Sequence, residues 1–406
     1  MIQARSRRSK QHGMLVGGRG QAGAIVIGGD YQGLGIVRSL GRRGIPVCVI
    51  DDEASIARVS RFSTRAIHVP SLKDEPSTLD TLDAARRAHG LEGWVLFPTR
   101  EETVAALARN RAWLAQSFRV PTPDWETIRH AWDKRETYRL AQTLGIPIPK
   151  TWIPLDENEL HNLNMRGPAI VKPAIKEHFF YETRAKAWRA DTESDLRRLF
   201  RKAVSVVGAG EVIVQELIPG DGNQQHSYCA FFKDGEPVAS MTVRRRRQHP
   251  SDFGRASTFV ETVDLAALEE PSLRFLRAIG YYGLVELEYK LDPRDGEHKL
   301  LDVNARTWGY HSVGPAAGVD FPYLLFCDQL GCEVPRARGR PGVRWIRLAT
   351  DVPNAVVDMR AGRLRPREYL TSLRGIDTEA VFSAQDPVPG MYELVLLPYL
   401  FLKRGL

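Results

Sequence analysis

The stretch GLVELEYKLDPRDGEHKLLDVNAR, residues 283–306, holds two runs of alternating residues separated by Pro-Arg-Asp-Gly. Glu286, Glu288 and Lys290 alternate in the first run; Asp302, Asn304 and Arg306 alternate in the second, with Leu301, Val303 and Ala305 between them. Side chains at i and i+2 share a strand face, so the pattern predicts a hairpin with one apolar face and one face gathering acids, an amide and an arginine. A solvated strand face would alternate in the same way. Clustered carboxylates on adjacent strands repel, however, and a bound cation removes that cost. Magnesium takes one or two carboxylates plus substrate phosphates, and Glu288, Asp302 and Asn304 offer such oxygens, with Arg306 beside the same phosphates.

The neighbouring sequence repeats the antiparallel logic. HSYCAFFKDGEPVASMTVRRRR (226–247) turns at KDG, and EVIVQELIPGDG (211–222) is an apolar strand running into a polar turn. In PAIVKPA (168–174), Lys172 sits among apolar residues, where an ammonium is costly without an anion. The first part of the chain reads differently. AIVIGG (24–29), a helix closing at Gly44 and IPVCVIDD form a βαβ unit, and WVLFPTREETVAALARN (94–110) repeats strand, turn and helix with acids in the first helical turn. The expectation is a doubly wound α/β domain whose working edge lies near Gly28, Asp30, Asp51 and Thr99, followed by α+β. A helical linker over 125–145 joins them. Gly28, Gly29, Gly33 and Gly35 do not fit the G-x-G-x-x-G spacing; tight helix-strand packing or a loop facing a small substrate explains them, and an NAD-dependent oxidoreductase remains the rival of another class.

The order DK (133–134), IVKPA (170–174), IVQELIPG (213–220), ELEYK (286–290) and LDVNAR (301–306) resembles the ATP-grasp superfamily, and within it the carboxylate-amine ligase-like branch. RQHPSDFGRASTFVETV and NARTWGYHSVGPAAGVDFP resemble predicted ATP-grasp proteins of uncertain substrate. The resemblance spans about residues 24 to 330. It implies a pre-ATP-grasp domain over 23–125 and a two-lobed ATP-grasp domain over 126–335, with a lid lobe near 150–218 and a C-terminal extension over 336–406. By the same resemblance Lys134 and Lys172 contact nucleotide phosphates. Gln215, Glu216, Leu217 and Ile218 form the hinge whose backbone reads adenine, with Glu211 or Asp221 as ribose partners. Glu288, Asp302 and Asn304 ligate magnesium, with manganese as a substitute, and Arg306 lies beside the transferred phosphate.

The implied reaction is ATP-dependent joining of a carboxylate to an amine through an acyl phosphate, with release of ADP and phosphate. Catalysis rests on positioning and charge neutralisation by Lys134, Lys172, the metal ions and Arg306. A biotin-carboxylase-like enzyme, or a nucleotide-binding protein without turnover, is the alternative on the same fold. Two departures stand out: the segment IKEHFFYETRAKAW (175–188) has no glycine where the family often has a glycine-rich loop, and Asp302 replaces the usual glutamate. Lys176, His178 or Lys186 contributes from that segment, or it serves the substrate. In RRRRQHPSDFGR (244–255), either Arg244 with Arg246 or Arg245 with Arg247 faces the cleft; Arg246 is taken as the catalytic representative, suited to an anionic acceptor or acyl phosphate.

Composition sets the outer limits. The 406 residues, 43% hydrophobic and 26% charged, suit a soluble protein of two or three packed units. Of the net charge of +8, residues 1–20 contribute five through Arg5, Arg7, Arg8, Lys10 and Arg19, which reads as a basic disordered tail (1–22) rather than a nucleic-acid contact. Four scattered cysteines read as reduced thiols, and the absence of a signal-like or spanning segment predicts a cytoplasmic protein. The apolar segment PVPGMYELVLLPYLFLKRGL is expected to pack on the body or a partner chain, with peripheral membrane contact as the lesser reading. Small carboxylate and amine substrates are the expected partners, and a homodimer is among the expectations.

Overall fold

A computed structural model describes residues 22–163, 167–249 and 256–404. The basic tail lies outside the described residues, as do positions 250–255 of the arginine-rich run. The N-terminal layer is a parallel sheet of β1 (Ala24–Ile27), β2 (Val47–Asp51), β3 (Arg65–His68) and β4 (Val95–Pro98) in the order β3-β2-β1-β4. All four residues of β1 are fully buried, because helices cover both faces of a parallel sheet. Asp30 caps the Tyr31–Gly41 helix by accepting from the Tyr31 N–H. The glycines of this turn serve packing: a Cβ on Gly33 would come within 2.3 Å of the Gly28 carbonyl oxygen. That closeness accounts for the pattern without a dinucleotide.

The expected linker helix is two helices, Trp125–Trp132 and Lys134–Thr143, broken at Asp133, whose carboxylate caps the second by accepting from the Arg135 N–H. A small antiparallel lobe follows, with β5 (Thr151–Trp152), β6 (Ala169–Pro173), β7 (Trp188–Ala190) and β8 (Val212–Glu216) in the order β5-β8-β6-β7. The segment expected as a loop over 175–188 instead folds as a helix, Lys176–Thr183, because the sequence KEHFFYET has neither glycine nor proline to stop it and Phe179 buries beneath it.

The main body is one large sheet. Its strands are β9 (Gln225–Lys233), β10 (Glu236–His249), β11 (Ala256–Val263), β12 (Gly283–Leu291), β13 (His298–Asn304), β14 (Ala337–Arg338), β15 (Arg344–Ile346) and β16 (Thr378–Glu379), in the order β13-β12-β9-β10-β11-β15-β16 with β14 on β10. Residues 336–406, expected as an extension, thus supply three of its strands. Asp234 and Gly235, both at positive φ, make the two-residue turn between β9 and β10. One face of the sheet, with Phe231, Met241 and Val260, shares a core with the Tyr31–Gly41 helix, Trp308 and Trp345. The other, with Tyr228, Val285 and Tyr289, packs on the Trp125–Trp132 and Glu269–Ala278 helices. Both layers therefore meet at the β12–β13 hairpin.

Candidate active site

The β12–β13 register sets Glu286 opposite Asn304 and Glu288 opposite Asp302. The four side chains fall on one face, as two-residue periodicity requires, and line a cleft between the N-terminal layer and the large sheet. Asn304 Nδ2 bridges the two glutamates, donating to Glu288 Oε1 at 2.8 Å and Glu286 Oε2 at 3.0 Å. Lys134 Nζ donates to Asp302 Oδ1 at 2.5 Å, and Arg245 Nη2 to Glu288 Oε2 at 2.8 Å. Glu286 also accepts from the Ser227 and Tyr310 hydroxyls. Arg306 is held at 2.6 Å by Glu101, from the first turn of the Glu101–Arg109 helix in the other layer. Its Nε is buried with no acceptor among the described residues.

Charge in this cleft is finely divided. Burial, reinforced by the negative charge of Glu288, pushes the Glu286 carboxyl up to about 7. Burial also opposes ionisation of Glu288, but Arg245 outweighs it and holds that carboxyl below its ordinary value. Asp302 is likewise lowered, the Lys134 charge overcoming burial. From the lid, Lys176, Glu177 and Lys186 reach the cleft, and burial together with the Lys176 charge brings the Lys186 ammonium down to about 8. Among the described residues no three His, Cys, Asp or Glu side chains already form a metal cage. An incomplete set of hard oxygens suits magnesium, which keeps substrate phosphates and waters among its ligands.

The other predicted residues sit apart from the cleft lining. Lys172 Nζ donates to the Tyr138 hydroxyl at 2.6 Å and Gln215 Oε1 at 2.8 Å, tying β6 to β8 and to the Lys134–Thr143 helix. Glu216 accepts from the Lys150 N–H and pairs with Arg294, and the Leu217 N–H donates to the Pro168 carbonyl. Lys290 Nζ donates at 2.9 Å to the carbonyls of Ile218 and Gly220, so the third polar residue of the β12 alternation anchors the hinge rather than entering the cleft. Glu211 pairs with His178, while Asp221 caps a turn by accepting from the Asn223 N–H.

Arg246 requires a correction. Arg245 is the cleft-lining arginine of the run, whereas Arg246 lies 3.7 Å from Glu261 on β11, a carboxylate it shares with Arg244. A register shift pairs Arg245 with Val260 and Arg247 with Phe259, leaving Arg246 as the extra residue of a bulge. Arg247 then swings to Asp351 at 2.8 Å. Strand alternation alone does not reveal a bulge. Glu101, Tyr310 and Ser227 were also missed as site residues; Glu101 was visible as one acid of a helical first turn, but nothing local joins it to Arg306.

No family model matches the chain. It is 22% identical over 298 residues, 70% of each chain, to D-aspartate ligase of Enterococcus faecium. A weaker match, 22% over 304 residues, is to the carbamoyl phosphate synthase large chain of Thermomicrobium roseum, of whose length it spans 27%. Among solved structures, L-amino acid ligase from Bacillus licheniformis superposes with a TM-score of 0.58 at 17% identity, covering 77% of this chain and 75% of that one. The biotin carboxylase domain of Hydrogenobacter thermophilus 2-oxoglutarate carboxylase gives 0.62 at 15% identity, over 79% and 73%. By its fold, the chain is thus a member of the ATP-grasp superfamily.

Proposed function

We propose that this protein is an ATP-dependent ligase that activates a carboxylate as an acyl phosphate and joins it to an amine, releasing ADP and phosphate. One observation carries the reading: Arg306 Nε is buried without an acceptor, next to a strand face where Asn304 bridges two glutamates. A guanidinium N–H in that position suits an anionic oxygen supplied by a ligand. D-aspartate ligase and L-amino acid ligase are the relatives whose names fit, and the 2-oxoglutarate carboxylase domain was solved with MgADP.

Glu288, Asp302 and Asn304 would hold magnesium, with Glu286 as a further oxygen donor on the same face. Manganese would accept the same hard donors. When bound, the metal neutralises charge on the nucleotide phosphates. Lys134 is already ionised beside Asp302, and in the loaded site it is placed to share that charge between carboxylate and phosphate. Arg306, clamped by Glu101, keeps a fixed direction and needs no reorganisation to meet the transferred phosphoryl group. Arg245, rather than Arg246, takes the role of the cationic residue facing the acceptor side. Lys172 and the 215–218 hinge would serve the nucleotide from the neighbouring lobe.

The cleft as it stands has a volume of about 90 Å³. Pockets that take a ligand of nucleotide size run to roughly 300–1,000 Å³, so the lid must move outward to admit it. Tyr181 on the lid helix donates to Glu102 Oε1 at 2.7 Å, holding the closed arrangement. Thermal unfolding with and without MgATP, with EDTA and with Asn304→Ala as controls, tests the binding half of the proposal. Phosphate release on screening amino acids as carboxylate and amine tests the chemistry. A metal-dependent rise in midpoint without phosphate release would leave a nucleotide-binding protein; no rise at millimolar nucleotide would overturn the assignment.

A further inference from the structure

Two helices near the C-terminus are packed inside out. The Leu348–Arg360 helix buries Asp351 and Asn354 and exposes Val352, Val356 and Val357. The Val388–Arg404 helix buries Glu393, its carboxylate 2.7 Å from Arg347, and exposes Met391, Leu394, Val395 and Tyr399. Spacings of four residues put Met391, Val395 and Tyr399 on one stripe, and Val352 with Val356 on another. The two helices contact each other. Of the thirteen large apolar side chains exposed among the described residues, nine lie between Val352 and Tyr399, with Val395 73% exposed and Met391 65%. Scattered apolar residues need no explanation, but a contiguous face that hides its acids and shows its valines does.

The charge beside this face indicates what covers it. Arg360, Arg363, Arg365 and Arg367 are all exposed where the first helix ends, against a single exposed acid, Glu368, over residues 359–370. A symmetric contact between two copies would bring this rim back upon itself, like charge on like. An anionic surface meets both features at once. No helix of the described residues is long and apolar enough to cross a membrane, so the geometry is that of lying on a surface.

We propose that the Leu348–Arg360 and Val388–Arg404 helices form a docking face for an anionic lipid bilayer, the apolar side chains entering the acyl boundary and the arginines meeting headgroup phosphates. The inner side of the second helix carries Glu393 and Leu396, which wall a cavity of about 180 Å³ at the carboxyl ends of the N-terminal strands, beside Asp30 and Arg100. Docking would therefore hold that cavity wall in place.

The test is vesicle flotation of the full chain at low salt, with phosphatidylcholine alone and with phosphatidylcholine containing 30% phosphatidylglycerol. Met391→Glu/Val395→Glu alters only exposed positions, and an unchanged thermal midpoint confirms its folding. The expected result is flotation with the anionic vesicles, reduced by about tenfold or more in Arg360→Glu/Arg365→Glu and lost in the Met391/Val395 variant. Equal binding to neutral vesicles, no flotation of the wild type, or full flotation of the Met391/Val395 variant overturns it. So does light scattering that finds a dimer split by the same two glutamates, which would assign the face to a second copy.

Discussion

Arg306 and Glu101 meet at 2.6 Å across the boundary between the large sheet and the N-terminal layer, both largely withdrawn from solvent. The pair couples the position of a phosphate-facing guanidinium to the packing of a helix 205 residues earlier in the chain. Glu101→Ala leaves Arg306 buried and unpaired, and breaking such a pair costs about 3 kcal/mol. Thermal unfolding should show the loss, and phosphate release should fall well beyond what the remaining folded fraction explains. Wild-type turnover in a folded Glu101→Ala variant would remove Glu101 from the machinery.

Asn304 separates two glutamates by donating to both. Asn304→Asp adds a third negative charge between them, whereas Asn304→Ala removes the bridge. Both variants should lose the magnesium-dependent part of the nucleotide-induced rise in melting temperature. The aspartate form should also be the less stable without metal and recover the more on adding it. A metal response like that of the wild type in both would show that Asn304 is structural.

The Glu286 carboxyl, pushed up to about 7 by burial and Glu288, gives a stability trend with a definite sign. Between the ordinary value of 4.5 and about 7, the folded state keeps a proton that the unfolded state has lost. Through this group, stability therefore falls as pH rises across that window, and the penalty is complete above it. Glu286→Gln should flatten that slope in denaturant titrations of the metal-free protein, and magnesium should flatten it in the wild type if the cation sits beside the pair. An unchanged slope in Glu286→Gln would place the titration elsewhere.

Arg245 and Arg246 differ by one position and one face. Arg245→Ala unpairs Glu288 inside the cleft and should reduce turnover by two orders of magnitude or more, about the effect of removing one charge-stabilising donor. Arg246→Ala loses a 3.7 Å contact with Glu261 at a half-exposed site and should change turnover less than twofold and stability by less than about 1 kcal/mol. Comparable losses from the two substitutions would contradict the bulge.

Tyr181→Phe removes the hydrogen bond from the lid helix to Glu102 while keeping the ring. Opening becomes easier, so stopped-flow mixing with a fluorescent nucleotide should show faster entry and faster release. Identical rates would mean that closure rests on other contacts, such as those of Lys176 and Lys186.

Sequence alone determined the parts of this protein that depend on local periodicity. The β12–β13 alternation, the Asp234-Gly235 turn and the buried β1 run each follow from rules acting within a few residues. Four of the cleft residues, Lys134, Glu288, Asp302 and Asn304, were legible for that reason. Tertiary structure decided the rest. A one-residue bulge chose Arg245 over Arg246, because a register shift moves side chains between faces without leaving a local mark. The partnership of Arg306 with Glu101 came from packing one layer against another, as did the anchoring of Lys290 on the hinge carbonyls. The apolar C-terminal segment was visible as apolar, but which of its sides faces outward was set by where Arg347 and Glu393 found each other in the core.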